Sequence, residues 1–344
     1  MTNPMSGATI GAIAYHLPEQ VLRSSDLSSL FPEWAVEKIE GKTGISQRHI
    51  SAPDECASDL AVEASRKLFA TGAYSPADID FVLLCTQSPD YFLPTTACLV
   101  QDRLGIPTTA GALDFNLGCS GFIYGLAMAQ GLIACGNAGN VLLLTAETYS
   151  KFLHPGDKSV RTLFGDAAAA TVVSASGEAS IGPFVFGTDG KGAEHLIVPT
   201  GGLRKPRTIE SAVDYTDSSG NVRNNDSLYM NGGEVFAFTL NAVPKAVRQL
   251  LERARLTVAD IDLFVFHQAN QYMLDTLRKQ LKIPVERFYI HLKDCGNTVS
   301  STIPIALHEA HREGVLRPGQ LVMLVGFGVG YSWGATLVRW PEFR

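Results

Sequence analysis

Short apolar runs alternate with helix-length stretches along most of the chain. Phe81–Cys85, Leu113–Asn116, Asn140–Ala146, Leu263–Phe266 and Leu321–Gly326 have the length and near-continuous apolar character of strands buried on both faces. The segments Asp59–Ala70, Ser120–Cys135, Val235–Ala254 and Ser301–Glu313 are long enough for helices. This alternation predicts an α/β architecture whose sheets are covered by helices on both faces. The stretch Ser120–Cys135 is apolar almost all round and stops at Gly136-Asn137, which predicts a helix lying between two sheets.

The pattern repeats. Ala-Asp-Ile-Asp precedes a strand at 77–80 and again at 259–262, and Leu104-Gly105-Ile106-Pro107 is echoed by Leu281-Lys282-Ile283-Pro284. Gly139-Asn140-Val141-Leu142 is echoed by Gly319-Gln320-Leu321-Val322. Echoes that keep both their order and a spacing of about 180 residues indicate a duplicated fold, with halves at roughly 1–176 and 177–344 and a site expected between them. Residues 200–228 interrupt the pattern with Gly, Ser, Asn, Asp and charge, and are expected to form a surface excursion capping a site.

Composition narrows the class. Of 344 residues 46% are hydrophobic and 18% charged, enough for a large core without staples. The net charge of -6, with no Lys/Arg block, argues against nucleic acid as a partner. No basic leader precedes the first apolar residues and no run approaches the roughly 18 apolar residues of a membrane span, so a soluble, cytoplasmic protein is expected. Six scattered cysteines without a CxxC pair read as reduced thiols.

Several motifs fail on spacing. Gly41-Lys42-Thr43 lacks the first glycine of a phosphate loop, and Gly326-Phe327-Gly328-Val329-Gly330 lacks the spacing and following helix of a dinucleotide fingerprint. His308-Glu309-Ala310-His311 lacks the i, i+4 histidines of a zinc helix and reads as a solvated face; no metal site is expected. Gly118-Cys119-Ser120-Gly121 does not complete a serine elbow, which leaves the cysteine as the candidate nucleophile.

Cys119 follows a strand and directly precedes the buried helix, where unpaired amides and the helix dipole should favour thiolate. His267 ends the strand Leu263–Phe266, the kind of position where α/β sites assemble. Matching the halves pairs Gly118-Cys119 with Gly296-Asn297, so Asn297 is expected to open the second half's copy of the buried helix. A thiol, an imidazole and a carboxamide meeting between halves suit acyl chemistry: the sulfur attacks, and two neutral donors stabilise an enolate oxygen.

At these residues the chain resembles the thiolase superfamily, most closely the β-ketoacyl-acyl carrier protein synthase III family. Gly-Cys-Ser-Gly at 118–121, Phe164-Gly165-Asp166, His267-Gln268-Ala269-Asn270, Gly296-Asn297-Thr298 and Gly326-Phe327-Gly328 through Trp333-Gly334-Ala335 match its landmarks in order over nearly the whole chain. The resemblance implies a thiolase-like duplicated five-layer αβαβα fold with buried central helices. It implies a Cys119-His267-Asn297 triad, with the cysteine in the first half and its partners in the second. The activity would be acyl transfer from acyl-CoA to Cys119, then decarboxylative condensation with malonyl-acyl carrier protein.

The same resemblance implies an oxyanion hole from the amides of Cys119 and Val329, shielding by Phe327, adenine stacking by Trp34 and Lys158, and a pantetheine contact at Asn270. Carrier-protein docking would fall on Gln268, Ala269, Asn270, Gln271 and Tyr272, with Arg278 and Lys279 beside them. It implies a homodimer in which Leu93 of the neighbouring subunit selects the acyl chain, and no cofactor beyond the two substrates. The chain departs from the family pattern at Val329, Lys158, Gly233 and Tyr272 and in an insertion at 203–226. Two alternatives stand beside this reading: a related acyltransferase or non-decarboxylative condensing enzyme, for which Asp90 is the candidate base, and a non-catalytic scaffold that binds acyl-CoA.

Overall fold

The computed structural model describes residues 7–343. Two five-stranded sheets form the frame. The first runs in the order Gly7–His16, Ala167–Ser176, Asn140–Glu147, Phe81–Cys85, Gly111–Phe115, and the second in the order Ile181–Thr188, Ser332–Arg339, Leu321–Gly328, Leu263–Phe266, Phe288–Tyr289. Each strand has its counterpart at the same place in the other sheet. In each, three neighbouring strands pair in parallel and the next two pairings, on one side, are antiparallel, so one strand opposes the other four. The strands of the first sheet all lie within 7–176 and those of the second within 181–339.

The middle layer is a pair of helices, Gly121–Ala134 and Thr302–Arg312. Phe122, Ile123 and Leu126 of one and Ile303, Ala306 and Leu307 of the other join a single buried cluster with Leu83 and Leu143 of the first sheet and Val265 and Leu324 of the second. A helix apolar all round is stable only where both faces are covered, as here. Ala57–Phe69 and Thr96–Leu104 cover the outer face of the first sheet, and Gly232–Ala254 and Gln271–Gln280 that of the second. The result is five layers, αβαβα.

Two expectations need correction. The second buried helix begins at Thr302 rather than at Asn297, because a 3-10 turn, Val299–Ser301, intervenes. Val299 has a φ of 54°, an uncommon backbone for a β-branched residue, and its N–H is taken up by Asn297 Oδ1 at 3.0 Å. Nor is 308–311 a solvated face. Glu309 is buried, bonded by Arg312, His308 and Tyr15; burial opposes its charge, but these donors outweigh it and hold the carboxyl at about 2.

The 200–228 excursion does pack against the region of the site. Its short hairpin, Tyr215–Thr216 with Val222–Arg223, is anchored by Arg223 on buried Asp157 at 2.6 Å, and Leu228 N–H reaches the Phe152 carbonyl at 2.7 Å. Leu228 is buried in the cluster that includes Cys119. None of the described helices is long and apolar enough to cross a membrane.

Candidate active site

Cys119, His267 and Asn297 line one cavity of about 80 Å³, together with Phe327, Gly328, Ala269 and Asn270. Leu163, Phe164, Leu196, Met230, Val235 and Met273 make the rest of its wall largely apolar.

Cys119 is placed by a tight turn in which Gly121 N–H donates to the Gly118 carbonyl at 2.7 Å, just before the Gly121–Ala134 helix. Strand Leu321–Gly328 of the other sheet crosses directly against it. A Cβ on Gly328 would stand 2.9 Å from Sγ, so this close approach requires glycine. The amides of Cys119 and Val329 both act on the sulfur in the sense that favours charge. Burial dominates, however, and with the carboxyl of Glu147 it pushes the thiol up to about 12. The expected resting thiolate is therefore replaced by a protonated thiol, because desolvation at this depth outweighs the local amides.

His267 follows its strand into the layer between the sheets, its N–H bonded to the Val325 carbonyl at 2.8 Å. Nδ1 lies 2.7 Å from Thr302 Oγ1, which leaves Nε2 to face the cavity. Burial pushes the imidazole down to about 3, with the Val299 carbonyl acting weakly the other way, so the ring is neutral. Phe327 stands edge-on to it, ring centroids 5.4 Å apart. Asn297 is held from the first half: its N–H donates to the Leu163 carbonyl at 2.9 Å and its own carbonyl accepts from Gly165 N–H at 3.0 Å. With Oδ1 occupied by Val299 N–H, Nδ2 is the end left to donate; one of its hydrogens points at the Ala269 carbonyl, 3.4 Å away.

The other residues singled out from the sequence divide. Asn270 caps the Gln271–Gln280 helix through Met273 N–H and borders the cavity. Gln268 and Ala269, which the resemblance had placed in the docking region, are buried, and Gln268 braces Phe266 and His291, so neither belongs to an exposed docking face. Tyr272 and Lys279 are exposed, Gln271 and Arg278 half-buried. Trp34 is half-buried with Lys38 Nζ 5.6 Å over its ring. Lys158, expected beside Trp34 on the adenine, is only 7% exposed and its ammonium is bound by Glu33. Leu93 lies on an open loop, 82% exposed, and takes no part in this protomer's cavity. Asp90 is engaged by Ser58, its Oγ at 2.6 Å, and among the described residues no carboxylate lines the cavity.

Two groups next to the site went unrecognised in the sequence. Thr302 touches His267, and Glu147 at the end of its strand accepts from Gln87 N–H, Ser88 Oγ and Ser300 Oγ. The one signal for Glu147 is an acid closing an otherwise apolar strand.

A buried thiol at a helix N-terminus, sharing a cavity with an imidazole and a carboxamide from the other sheet's half, is the arrangement of a thiolase-fold condensing enzyme of the acyltransferase class. Comparison with known proteins agrees. Residues 113–190 match the family described as 3-oxoacyl-[acyl-carrier-protein (ACP)] synthase III, and residues 251–340 match its C-terminal counterpart. The chain is 38% identical to a β-ketoacyl-[acyl-carrier-protein] synthase III of Caldanaerobacter subterraneus over 99% of this chain and 100% of that one. A crystal structure of a 3-oxoacyl-(acyl-carrier-protein) synthase III, 59% identical, covers 97% of this chain and 100% of its own with a TM-score of 0.96. A 3-oxoacyl-(acyl-carrier protein) synthase from Burkholderia xenovorans, 35% identical, covers 98% and 95% with a TM-score of 0.90. The chain belongs to the β-ketoacyl-[acyl-carrier-protein] synthase III family.

Proposed function

We propose that Cys119 accepts an acyl group from acyl-CoA and that His267 and Asn297 then drive decarboxylative condensation with malonyl-acyl carrier protein. In the first half-reaction the sulfur attacks the thioester carbonyl while its proton leaves, and CoA departs as the thiol. The oxyanion is received by the amides of Cys119 and Val329. In the second, the bond between the malonyl carboxylate and the α-carbon breaks, carbon dioxide leaves, and its electron pair becomes an enolate whose oxygen is bonded by His267 Nε2–H and Asn297 Nδ2–H. The α-carbon attacks the acyl-cysteine, the C–S bond breaks, and the departing thiolate takes a proton from solvent to restore the thiol.

The observation that carries this reading is the placement of one sulfur under two amides, in a cavity shared with a neutral imidazole and a carboxamide. An apolar wall suits an acyl chain, and the engagement of Asp90 with Ser58 favours decarboxylative over base-driven condensation.

Trp34 is assigned to the CoA nucleotide and Asn270 to pantetheine. The carrier protein is assigned to the face carrying Gln271, Tyr272, Arg278 and Lys279. The working unit is proposed to be a homodimer, with Leu93 of one copy reaching the acyl site of the other.

Intact-mass measurement after incubation with acyl-CoA tests the first half. The wild type should gain one acyl group and Cys119→Ala none, with its fold retained. His267→Ala and Asn297→Ala should still acylate but lose roughly a hundredfold or more in decarboxylation. Condensation by Cys119→Ala at the wild-type rate would overturn the nucleophile, and loss of acylation alone in the other two would overturn their roles.

A further inference from the structure

Asn297 belongs to the second half, but its backbone is gripped by the first. Its N–H donates to the Leu163 carbonyl at 2.9 Å, and its carbonyl accepts from Gly165 N–H at 3.0 Å. The gripping segment lies against the strand Gln47–Ile50, which pairs with Gln20–Arg23 outside the two large sheets. At the far end of the segment Asp166 N–H donates to the His49 carbonyl at 2.8 Å, and Ser51 binds the Asp166 carboxylate through its N–H at 2.8 Å and its hydroxyl at 2.7 Å. At the near end the strand reaches across with one side chain, Arg48.

Arg48 is fully buried. One terminal nitrogen donates to the Thr162 carbonyl at 2.9 Å, the other to the Leu22 carbonyl at 3.2 Å, and Nε has no partner among the described residues. Its stem is equally confined: a Cβ on Gly165 would stand 3.0 Å from the Arg48 Cβ, and one on Gly296 3.1 Å. Those glycines bracket Asn297, since Gly296 precedes it in the chain and Gly165 is bonded to it. Burial pushes Arg48 down to about 10, with Glu40 acting the other way, so it remains a cation at neutral pH. A buried cation whose bonded partners are neutral carbonyls is costly, and a methionine would fill similar space with no charge to desolvate. What the guanidinium adds over methionine is a charge-assisted bond to Thr162, one residue from the carbonyl that holds Asn297.

We infer that Arg48 is a positioning residue for Asn297: by fixing Thr162 and packing against Gly165 and Gly296 it sets where the carboxamide stands in the cavity. The inference rests on the assignment of Asn297 as an enolate donor. Nδ2–H must reach the enolate oxygen, and a displacement of about 1 Å is enough to lose most of that stabilisation. Cys119 and the amides that serve acylation are carried elsewhere, by the turn at 118–121 and the end of strand Leu321–Gly328, so the effect falls on the second half-reaction.

The test measures acylation by acyl-CoA and carbon dioxide release from malonyl-acyl carrier protein in full-length Arg48→Met and Arg48→Lys, and in Arg48→Met combined with Asn297→Ala. Arg48→Met should acylate within about threefold of wild type while carbon dioxide release falls roughly tenfold or more, and Arg48→Lys, which can still donate to Thr162, should recover most of that loss. Added to Asn297→Ala, Arg48→Met should lower carbon dioxide release by no more than about twofold further, because the group it positions is already gone. A residue that only supports the fold would lower both half-reactions and add its full loss to that of Asn297→Ala. Arg48→Gln carries the same comparisons if methionine prevents folding. Unchanged decarboxylation, equal loss in both half-reactions, failure of lysine to rescue, or a full additional loss beside Asn297→Ala would each overturn the inference. Asn297→Ala alone separates the premises: if it still decarboxylates, the donor role of Asn297 fails and the inference with it, whereas its inactivity beside a fully active Arg48→Met rejects Arg48 alone.

Discussion

Glu147 and His267 are both buried in their neutral forms, yet they bend the pH dependence of stability in opposite directions. Burial pushes the Glu147 carboxyl up to about 8, against the pull of its bonds from Gln87, Ser300 and Ser88. Between its ordinary value of 4.5 and about 8 the folded chain holds a proton that the unfolded chain has released, so stability falls as pH rises through that window. For His267 the unfolded chain takes a proton below 6.5 while the folded one stays neutral down to about 3, so stability falls as pH drops through that window. Denaturant titrations should therefore show the wild type losing ground to Glu147→Gln as pH rises from 4.5 to about 8, by up to about 1.4 kcal/mol per pH unit. A constant gap across that window would mean that Glu147 holds no proton there. Cys119, His267 and Asn297 were legible because each stands at a break in pattern: a glycine-flanked turn, a strand end, a glycine-preceded copy of the first site. Thr302 and Glu147 were not, because their partners lie in distant segments and neither residue type is unusual where it stands.

Strands and helices were easier to read than the turns between them. Phe81–Cys85 and Leu263–Phe266 fall on the residues that their apolar runs predict, since burial on both faces leaves no polar position inside them. The turn after Asn297 was hidden because it depends on a positive φ at valine, which side-chain pattern does not encode. Gln268 and Ala269 alone depart from the docking region implied by the resemblance, because a landmark match carries position along the chain and not which side chains turn inward. The crossing of strand Leu321–Gly328 over Cys119 gives the element-scale prediction. Gly328→Ala puts a methyl 2.9 Å from Sγ and 2.8 Å from the Cys119 Cβ, too near for either to stay in place. Acyl-adduct formation should fall roughly tenfold or more, with a stability loss of about 1–3 kcal/mol. Full acylation by this variant would show that the turn yields without cost.

At the scale of the molecule, the repeated echoes along the chain anticipated two sheets with matching strand order, because sequence retained at a constant offset preserves topology. The chain's surroundings were less legible. Strand Gly111–Phe115 is an outer strand with an open edge and Leu113 partly exposed; on the loop leading out of the neighbouring strand, Phe92 and Leu93 are each 82% exposed. Light scattering should give twice the chain mass, and Leu93→Ala should shift the longest acyl-CoA accepted without changing that mass. A wild-type monomer with unaltered chain-length preference in the variant would remove the partner's loop from the site.

The inner helices carry a consequence for dissection. Gly121–Ala134 and Thr302–Arg312 are each roofed by the sheet of the opposite half, so a single half expressed alone would leave one greasy cylinder uncovered. Such a piece should be stable only when clasped by a second copy or by the missing half.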